Sequence, residues 1–352
     1  MDDLPARHTI EIFQVRQTLR GALARGLDAE RILRRAGIPT ALLQSAHARV
    51  TLHQYATLLG VLRCVMRDEF WGLCSRPVPI GSFAYCCRAA LRTSNLRDAI
   101  TVAFGLYRLV LSDFSPHLRV TDGVAHIALP TRVAVPDDAL RYALRSFTFL
   151  GFGLMSWLVA RRIELGCVRF IDDPSRSGVD VARMFQAPLQ YEADVAGFSF
   201  DARWLDLPII PTPQSLEDFL RQAPANLLVN YRDQARTCDQ TRTMLRARLD
   251  TQLPSLEQVA REFGISPQTL NRRLVREGNS FQALKNELRR DAAIDFLTRT
   301  DMTLTEIANH LGFSEASTFH RSFKSWTGVA PGEYRRTAFD LGSDSPLRRF
   351  TG

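Results

Sequence analysis

The sequence predicts two domains of different class: an α+β N-terminal domain with a small antiparallel sheet, and an all-α C-terminal domain in which two helix-turn-helix units are joined by a long helix. Three observations carry this prediction. From Thr303 to Arg336 the apolar residues recur at helical spacing around a central glycine, and the stretch from Pro254 to Gly278 repeats the same order of events. Between His117 and Leu129 the apolar period falls to two on either side of an Asp122–Gly123 pair.

In the N-terminal half, Ile12, Val15, Leu19 and Leu23 mark a first helix that stops near Gly26, and Asp28 is placed to cap a second, which Gly37 and Pro39 end. Leu52 to Val65 is a third, with Leu58, Leu59, Leu62 and Val65 inward. A loop, RPVPIGSF, leads to further helix, and Ser94 or Asn95 caps LRDAITVAFGLYRLVL. HLRVT and VAHIAL form the hairpin; CVRFID and GFSFD are two more short strands, with a long helix over Asp137 to Ala160 before them. An α+β domain is thus expected over residues 1–207, the part of the chain left for effector binding or oligomerisation once the C-terminal helix-turn-helix units are set aside. A proline-rich boundary at 208–213 and a connector helix from Ser215 to Arg236 follow, giving a 208–238 linker, a DNA-binding domain at 239–340 and a tail at 341–352.

In the C-terminal half, Ser255 and Gln258 have capping-box spacing, as do Thr303 and Glu306. Gly264 and Gly312 stand where each first helix must end in a left-handed residue. Ser266 caps the next helix of the first unit, with Pro267 at its first position, and Ser314 is the expected cap in the second. Leu270 and Leu274, and Phe319 and Phe323, are the inward stripes. Phe281 to Phe296 reads as one rigid helix between the units, a spacer suited to holding two recognition helices in successive major grooves.

A chain of 352 residues is long enough for a core in each domain, and its 45% apolar and 23% charged content is that of a globular protein. The net charge of +8 suits a polyanionic partner, yet residues 239–336 hold fifteen Lys and Arg against twelve Asp and Glu. Placement therefore matters more than total. Arg272, Arg273 and Arg276 cluster on the first recognition helix, and Arg321 and Lys324 lie on the second. Arg273, Arg276 and Lys324 are the phosphate candidates.

The first ten residues carry no secretory pattern, and the longest uncharged run, Ser146 to Ala160, falls short of the roughly 20 residues needed to span a bilayer. No membrane partner is expected. Six cysteines without CxxC spacing imply reduced thiols and a cytoplasmic location. The seven histidines form no metal-ligand spacing, and there is no GxSxG, no phosphate-cradling loop and no acid–base carboxylate pair. The expectation is no enzyme, no metal and no cofactor.

The run GFSEASTFHRSFKSWTGVAPGEYRR, Gly312 to Arg336, is similar to the C-terminal signature of the AraC/XylS family of bacterial transcription regulators, and the resemblance covers about residues 239–336. A weaker one, in Asp28 to Val50 and in PVPIGSF and TSNLRDAI, points to the arabinose-binding-type effector domain of one large AraC branch. The resemblance implies a sequence-specific regulator, an activator responsive to a small-molecule effector, with double-stranded DNA and RNA polymerase as partners. It carries base-reading positions over to Gln268, Asn271 and Arg272 in the first unit and to Ser317, His320 and Arg321 in the second. Ala316 stands where relatives often have a longer polar side chain, so no base contact is expected from it. Two other readings stand beside this one: an enzyme with an accessory DNA-binding tail, whose repair relatives would carry a zinc-holding cysteine cluster, and a DNA-binding protein without an effector.

The aromatic residues of the N-terminal half are expected mostly in the core. A pocket drawing on Phe83, Tyr85, Arg88, Tyr107 and Arg145 would suit a small apolar or anionic effector. The N-terminal domain is also expected to form a twofold homodimer, and the 208–213 stretch with its following helix to be the only connection between effector and reader.

Overall fold

A computed structural model of the chain describes residues 9–45, 47–134, 136–174, 180–222, 237–248, 253–277 and 279–339. In chain order its elements are β1 (Thr9–Glu11), α1 (Ile12–Ala24), α2 (Ala29–Arg35), β2 (Arg49–Thr51), α3 (Leu52–Met66), α4 (Ser82–Ala90) and α5 (Leu96–Val110). The hairpin β3 (His117–Thr121) and β4 (Val124–Leu129) leads to α6 (Asp138–Leu158), β5 (Leu165–Arg169), α7 (Asp180–Phe185), β6 (Leu189–Gln190), β7 (Ala196–Asp201) and α8 (Pro213–Gln222). The remainder is helical: α9 (Thr237–Ala247), α10 (Leu256–Glu262), α11 (Pro267–Arg276), α12 (Phe281–Arg299), α13 (Leu304–His310), α14 (Ala316–Thr327) and α15 (Pro331–Phe339).

The chain divides into two compact units. One holds residues 13–32 and 56–231. Its sheet has the order β3-β4-β7-β5-β6, antiparallel except for the parallel β5–β6 pair. Alternation along β4 buries Ala125, Ile127 and Leu129, as the period of two requires. α6 supplies Phe147, whose ring meets those of Tyr107 and Phe114 at 5.0 and 5.3 Å, both edge-on. Asp137 caps α6 by accepting from Leu140 N at 2.8 Å, and Asn95 caps α5 by accepting from Asp98 N at 2.9 Å. The turn before the PVPIGSF loop is organised by the fully buried Asp68, which accepts from the backbone N–H groups of Phe70, Gly72 and Val78 at 2.8–2.9 Å.

The other unit holds residues 1–12, 33–55 and 232–352, so that the β1–β2 pair belongs with α9 to α15. This division does not follow the expected 1–207 boundary. Arg49 and Ser45 touch the C-terminal helices directly: the Tyr334 hydroxyl donates to the Arg49 carbonyl, and Ser45 Oγ to the Thr327 carbonyl at 3.0 Å.

Several local expectations are corrected. Leu23 and Val65 are 53% and 40% exposed, each in the last turn of its helix, where the apolar stripe has rotated away from the core. Ser314 does not cap α14: the extra residue after the second turn moves the cap to Glu315, which makes no side-chain cap bond. The strands β1, β2 and β6 had no period to announce them, being only two or three residues long. Of the expected Ser215–Arg236 connector, α8 covers the part up to Gln222, and residues 223–236 lie outside the described residues, as does the 341–352 tail.

Candidate nucleic-acid interface

Each helix-turn-helix is held by local groups. In the first, Gln258 Oε1 accepts from Ser255 N at 2.7 Å while Ser255 Oγ accepts from Gln258 N at 3.3 Å, closing the capping box. In the second, Glu306 Oε2 accepts from Thr303 N at 2.6 Å and Thr303 Oγ1 accepts from Glu306 N at 3.2 Å. The Thr303 N–H and hydroxyl hold the Glu306 carboxyl below its ordinary value. Gly264 and Gly312 turn the chain at φ 66° and 73°, a conformation that costs a side-chain-bearing residue roughly 1–2 kcal/mol. Ser266 caps α11 by accepting from Thr269 N at 3.2 Å, with Pro267 following.

Leu270 and Leu274 on α11 and Phe319 and Phe323 on α14 are fully buried. The 3.6-residue period that turns these inward leaves Gln268, Asn271 and Arg272, and Ser317, His320 and Arg321, exposed on the opposite faces. Ser317 Oγ donates to Glu315 Oε2 at 2.9 Å, so a carboxylate stands at the start of α14. The sequence places Glu315 on the outward face but had no way to show that it holds the Ser317 proton.

Partner choice sorts the cations of this region into two sets. Arg242 pairs with Glu287 at 3.1 Å, Arg290 with Asp291 at 3.0 Å, Arg299 with Asp295 at 3.3 Å, and Arg248 with Glu262. Arg289 Nε donates to the Leu311 carbonyl at 3.0 Å and its guanidinium lies 5.0 Å over the Phe313 ring. These are structural. Among the described residues Arg272, Arg273, Arg276, Arg321 and Lys324 are exposed and have no carboxylate partner, and Arg261 and Arg336 join them. Among the described residues a region that is nearly neutral in composition thus carries most of its carboxylate-free positive charge on α11 and α14, with Arg261 on α10 and Arg335 and Arg336 on α15 beside them.

α9 precedes the first unit and belongs to the same core. Glu277, just past α11, accepts from Thr237 N and Cys238 N at 3.2 and 2.8 Å, and Leu245 is fully buried. Helix is already present at Thr237, ahead of the 239 at which the DNA-binding domain is expected to begin.

Residues 26–209 match the family described as the arabinose-binding domain of AraC transcription regulators, N-terminal, and residues 259–337 match a helix-turn-helix domain. The chain belongs to the AraC/XylS family of transcription regulators. Its N-terminal domain is of the effector-binding type and its C-terminal domain of the DNA-binding type. The ornithine utilization regulator of Pseudomonas aeruginosa is 25% identical over 312 residues, covering 88% of this chain and 91% of that one. An uncharacterized helix-turn-helix regulator of Mycobacterium tuberculosis is 46% identical over 83 residues, 24% of each chain. The transcriptional activator NphR of a Rhodococcus species is 28% identical over 195 residues, 54% of this chain and 55% of NphR.

In this AraC/XylS regulator the five candidate effector residues are not gathered in one place. Phe83 and Tyr107 border an apolar void of about 30 Å³, far below the roughly 300–1,000 Å³ of ligand pockets. Arg145 lines a separate polar cavity. Tyr85 is 64% exposed, and Arg88 is engaged at the surface with Glu217 at 3.0 Å; both lie outside these two cavities. All six cysteines are free thiols, and burial pushes the Cys86 thiol up to about 12, which leaves it inert at neutral pH. Among the described residues no group of His, Cys, Asp and Glu is arranged to hold a metal ion, and no helix is long and apolar enough to cross a membrane.

Proposed function

We propose that this regulator acts as an activator that reads two successive major grooves, with Gln268, Asn271 and Arg272 of α11 and Ser317, His320 and Arg321 of α14 at base edges. Arg273, Arg276 and Lys324 are its phosphate contacts, and Glu315 is an acceptor suited to a cytosine amine. One observation carries the reading: unpaired cations and exposed amide and imidazole groups coincide on the same two helices, each presented by a capped turn. Between the two units runs the 19-residue α12, about 28 Å long, comparable with the roughly 34 Å that separates successive turns of one groove.

A small molecule bound in the N-terminal domain governs this reading and the contact with RNA polymerase. The chain works as a twofold dimer through that domain, in the cytoplasm and without chemistry of its own. The names of two relatives, an ornithine utilization regulator and a transcriptional activator, support the effector and the sign of regulation. Footprinting of the whole chain on DNA upstream of its own gene and its neighbours tests the proposal. Two protected patches about 10 base pairs apart on one face of the duplex are expected; salt-insensitive or absent protection overturns it.

A further inference from the structure

The polar cavity has about 320 Å³ of room, at the small end of ligand pockets. Its walls break the rule that a helix turns apolar residues inward. On α1 the residues facing it are Phe13, Gln17 and Arg20, spaced i, i+4, i+7; on α6 they are Asp138, Arg141, Tyr142 and Arg145, spaced i, i+3, i+4, i+7. These are core-facing spacings occupied largely by charged groups, and burying such groups is costly unless something satisfies them.

Three guanidiniums and two carboxylates line the cavity, leaving one positive charge in excess. Arg145 and Asp172 are each 7% exposed at the side chain and joined by an ion pair, which forms the floor. Arg141 donates from Nε to the Pro136 carbonyl at 3.0 Å and from Nη1 to the Ile171 carbonyl at 2.7 Å, and the same Nη1 lies 3.8 Å from Asp172 Oδ1, so Asp172 is flanked by two guanidiniums. Two backbone oxygens therefore fix its guanidinium plane, and among the described residues Nη2 has no partner. Arg20 meets Asp138 at 3.0 Å, with both side chains about two-fifths exposed, so that pair is weak and opens at little cost.

We infer that this cavity is the effector site and that its ligand is a small organic monocarboxylate, whose carboxylate takes Arg141 Nη2 and the guanidinium of Arg20 while its apolar part lies against Phe13 and Tyr142. The inference rests on the effector-binding reading above. The single excess charge selects a monoanion: a dianion such as phosphate would leave a net negative cavity beside two carboxylates. Paired N–H groups also match the planar carboxylate fork.

The test uses the whole chain with 4-fluorobenzoate and hexanoate as probes, read by fluorine NMR and calorimetry, with 4-fluorobenzamide, hexanamide and inorganic phosphate as comparators. At least one carboxylate is expected to bind, and its amide at least about tenfold more weakly. Arg20→Gln and Arg141→Gln should each weaken binding by about 10–100-fold, the range of a lost charge-assisted bond, while Arg203→Gln, exposed and remote, should leave it unchanged. Arg141 braces backbone carbonyls and its variant can lose stability; Arg20, half in solvent, keeps the test decisive. No binding of either carboxylate at about 10 mM, equal binding of the amides or phosphate, or unaltered binding by Arg20→Gln overturns the inference. A chain that protects DNA but binds no carboxylate sinks this inference alone. One that binds the carboxylate with no change in DNA occupancy leaves the cavity a carboxylate site and overturns its role as effector site.

Discussion

The Thr9 hydroxyl donates to Asp291 Oδ1 at 2.6 Å across 282 positions of sequence, and accepts from Arg49 Nε at 2.7 Å. Arg49 also donates to the Thr9 carbonyl at 2.8 Å, and Arg290 reaches Asp291 Oδ1 at 3.0 and 3.1 Å. Asp291 is a buried carboxylate on α12, the helix between the two reading units, and strand β1 satisfies it. The 208–213 stretch is therefore not the only place where N-terminal residues meet the reader.

Thr9→Val keeps the shape and removes the bridge. The Asp291 carboxylate and the Arg49 guanidinium each lose a buried partner, at an expected cost of about 1–3 kcal/mol. Chemical denaturation of the whole chain measures it. A variant as stable as the parent would show that the strand pair contributes nothing to the reader.

Arg272→Ala should cost about 1–3 kcal/mol on the preferred site and relax preference at one base pair, since a bidentate contact to guanine is lost. Lys324→Ala should instead weaken all sequences alike and flatten the salt slope by about one unit. Competition binding on a set of single-base variants of the site separates the two. Uniform loss for Arg272→Ala would move it to the phosphate group.

Burial, and secondarily the charge of Arg299, lowers the pKa of His53 from its ordinary value near 6.5. A depressed folded value means that the unfolded chain takes up the proton first. The stability from neutral His53 is complete above pH 6.5 and is lost as pH falls through the lower folded value. Unfolding midpoints at pH 8 and pH 5 should differ less in His53→Gln than in the parent; an equal difference would remove His53 from the acid response.

A fragment beginning at residue 232 contains α9 (Thr237–Ala247) and both readers. It should bind a single site with unchanged sequence preference, and should lose both dimerisation and effector response. Its melting point should lie below that of the reader in the whole chain, because Thr9, Ser45 and Arg49 no longer contact α12 to α15. Sedimentation and a melt of the fragment check both halves, and a fragment that still dimerises overturns the assignment of the dimer to the N-terminal domain.

What the sequence by itself determined is what neighbours in sequence settle among themselves. The two capping boxes, the turns at Gly264 and Gly312, the inward pairs Leu270–Leu274 and Phe319–Phe323 and the Asp122–Gly123 hairpin all involve residues within about one helical turn or one hairpin of each other, so spacing suffices. Only the tertiary structure decided which arginines are spent and which are free. Arg242 and Glu287 are 45 positions apart, and nothing local distinguishes Arg290, committed to Asp291, from Arg272, which meets no carboxylate among the described residues. The same holds for the charged cavity, where Arg20 and Asp138 meet from 118 positions apart, and for the failure of Phe83, Tyr85, Arg88, Tyr107 and Arg145 to converge. A charged residue at core-facing spacing reads in sequence as a flaw in an apolar stripe. It becomes the wall of a site only when a second helix brings its own charged stripe to the same space.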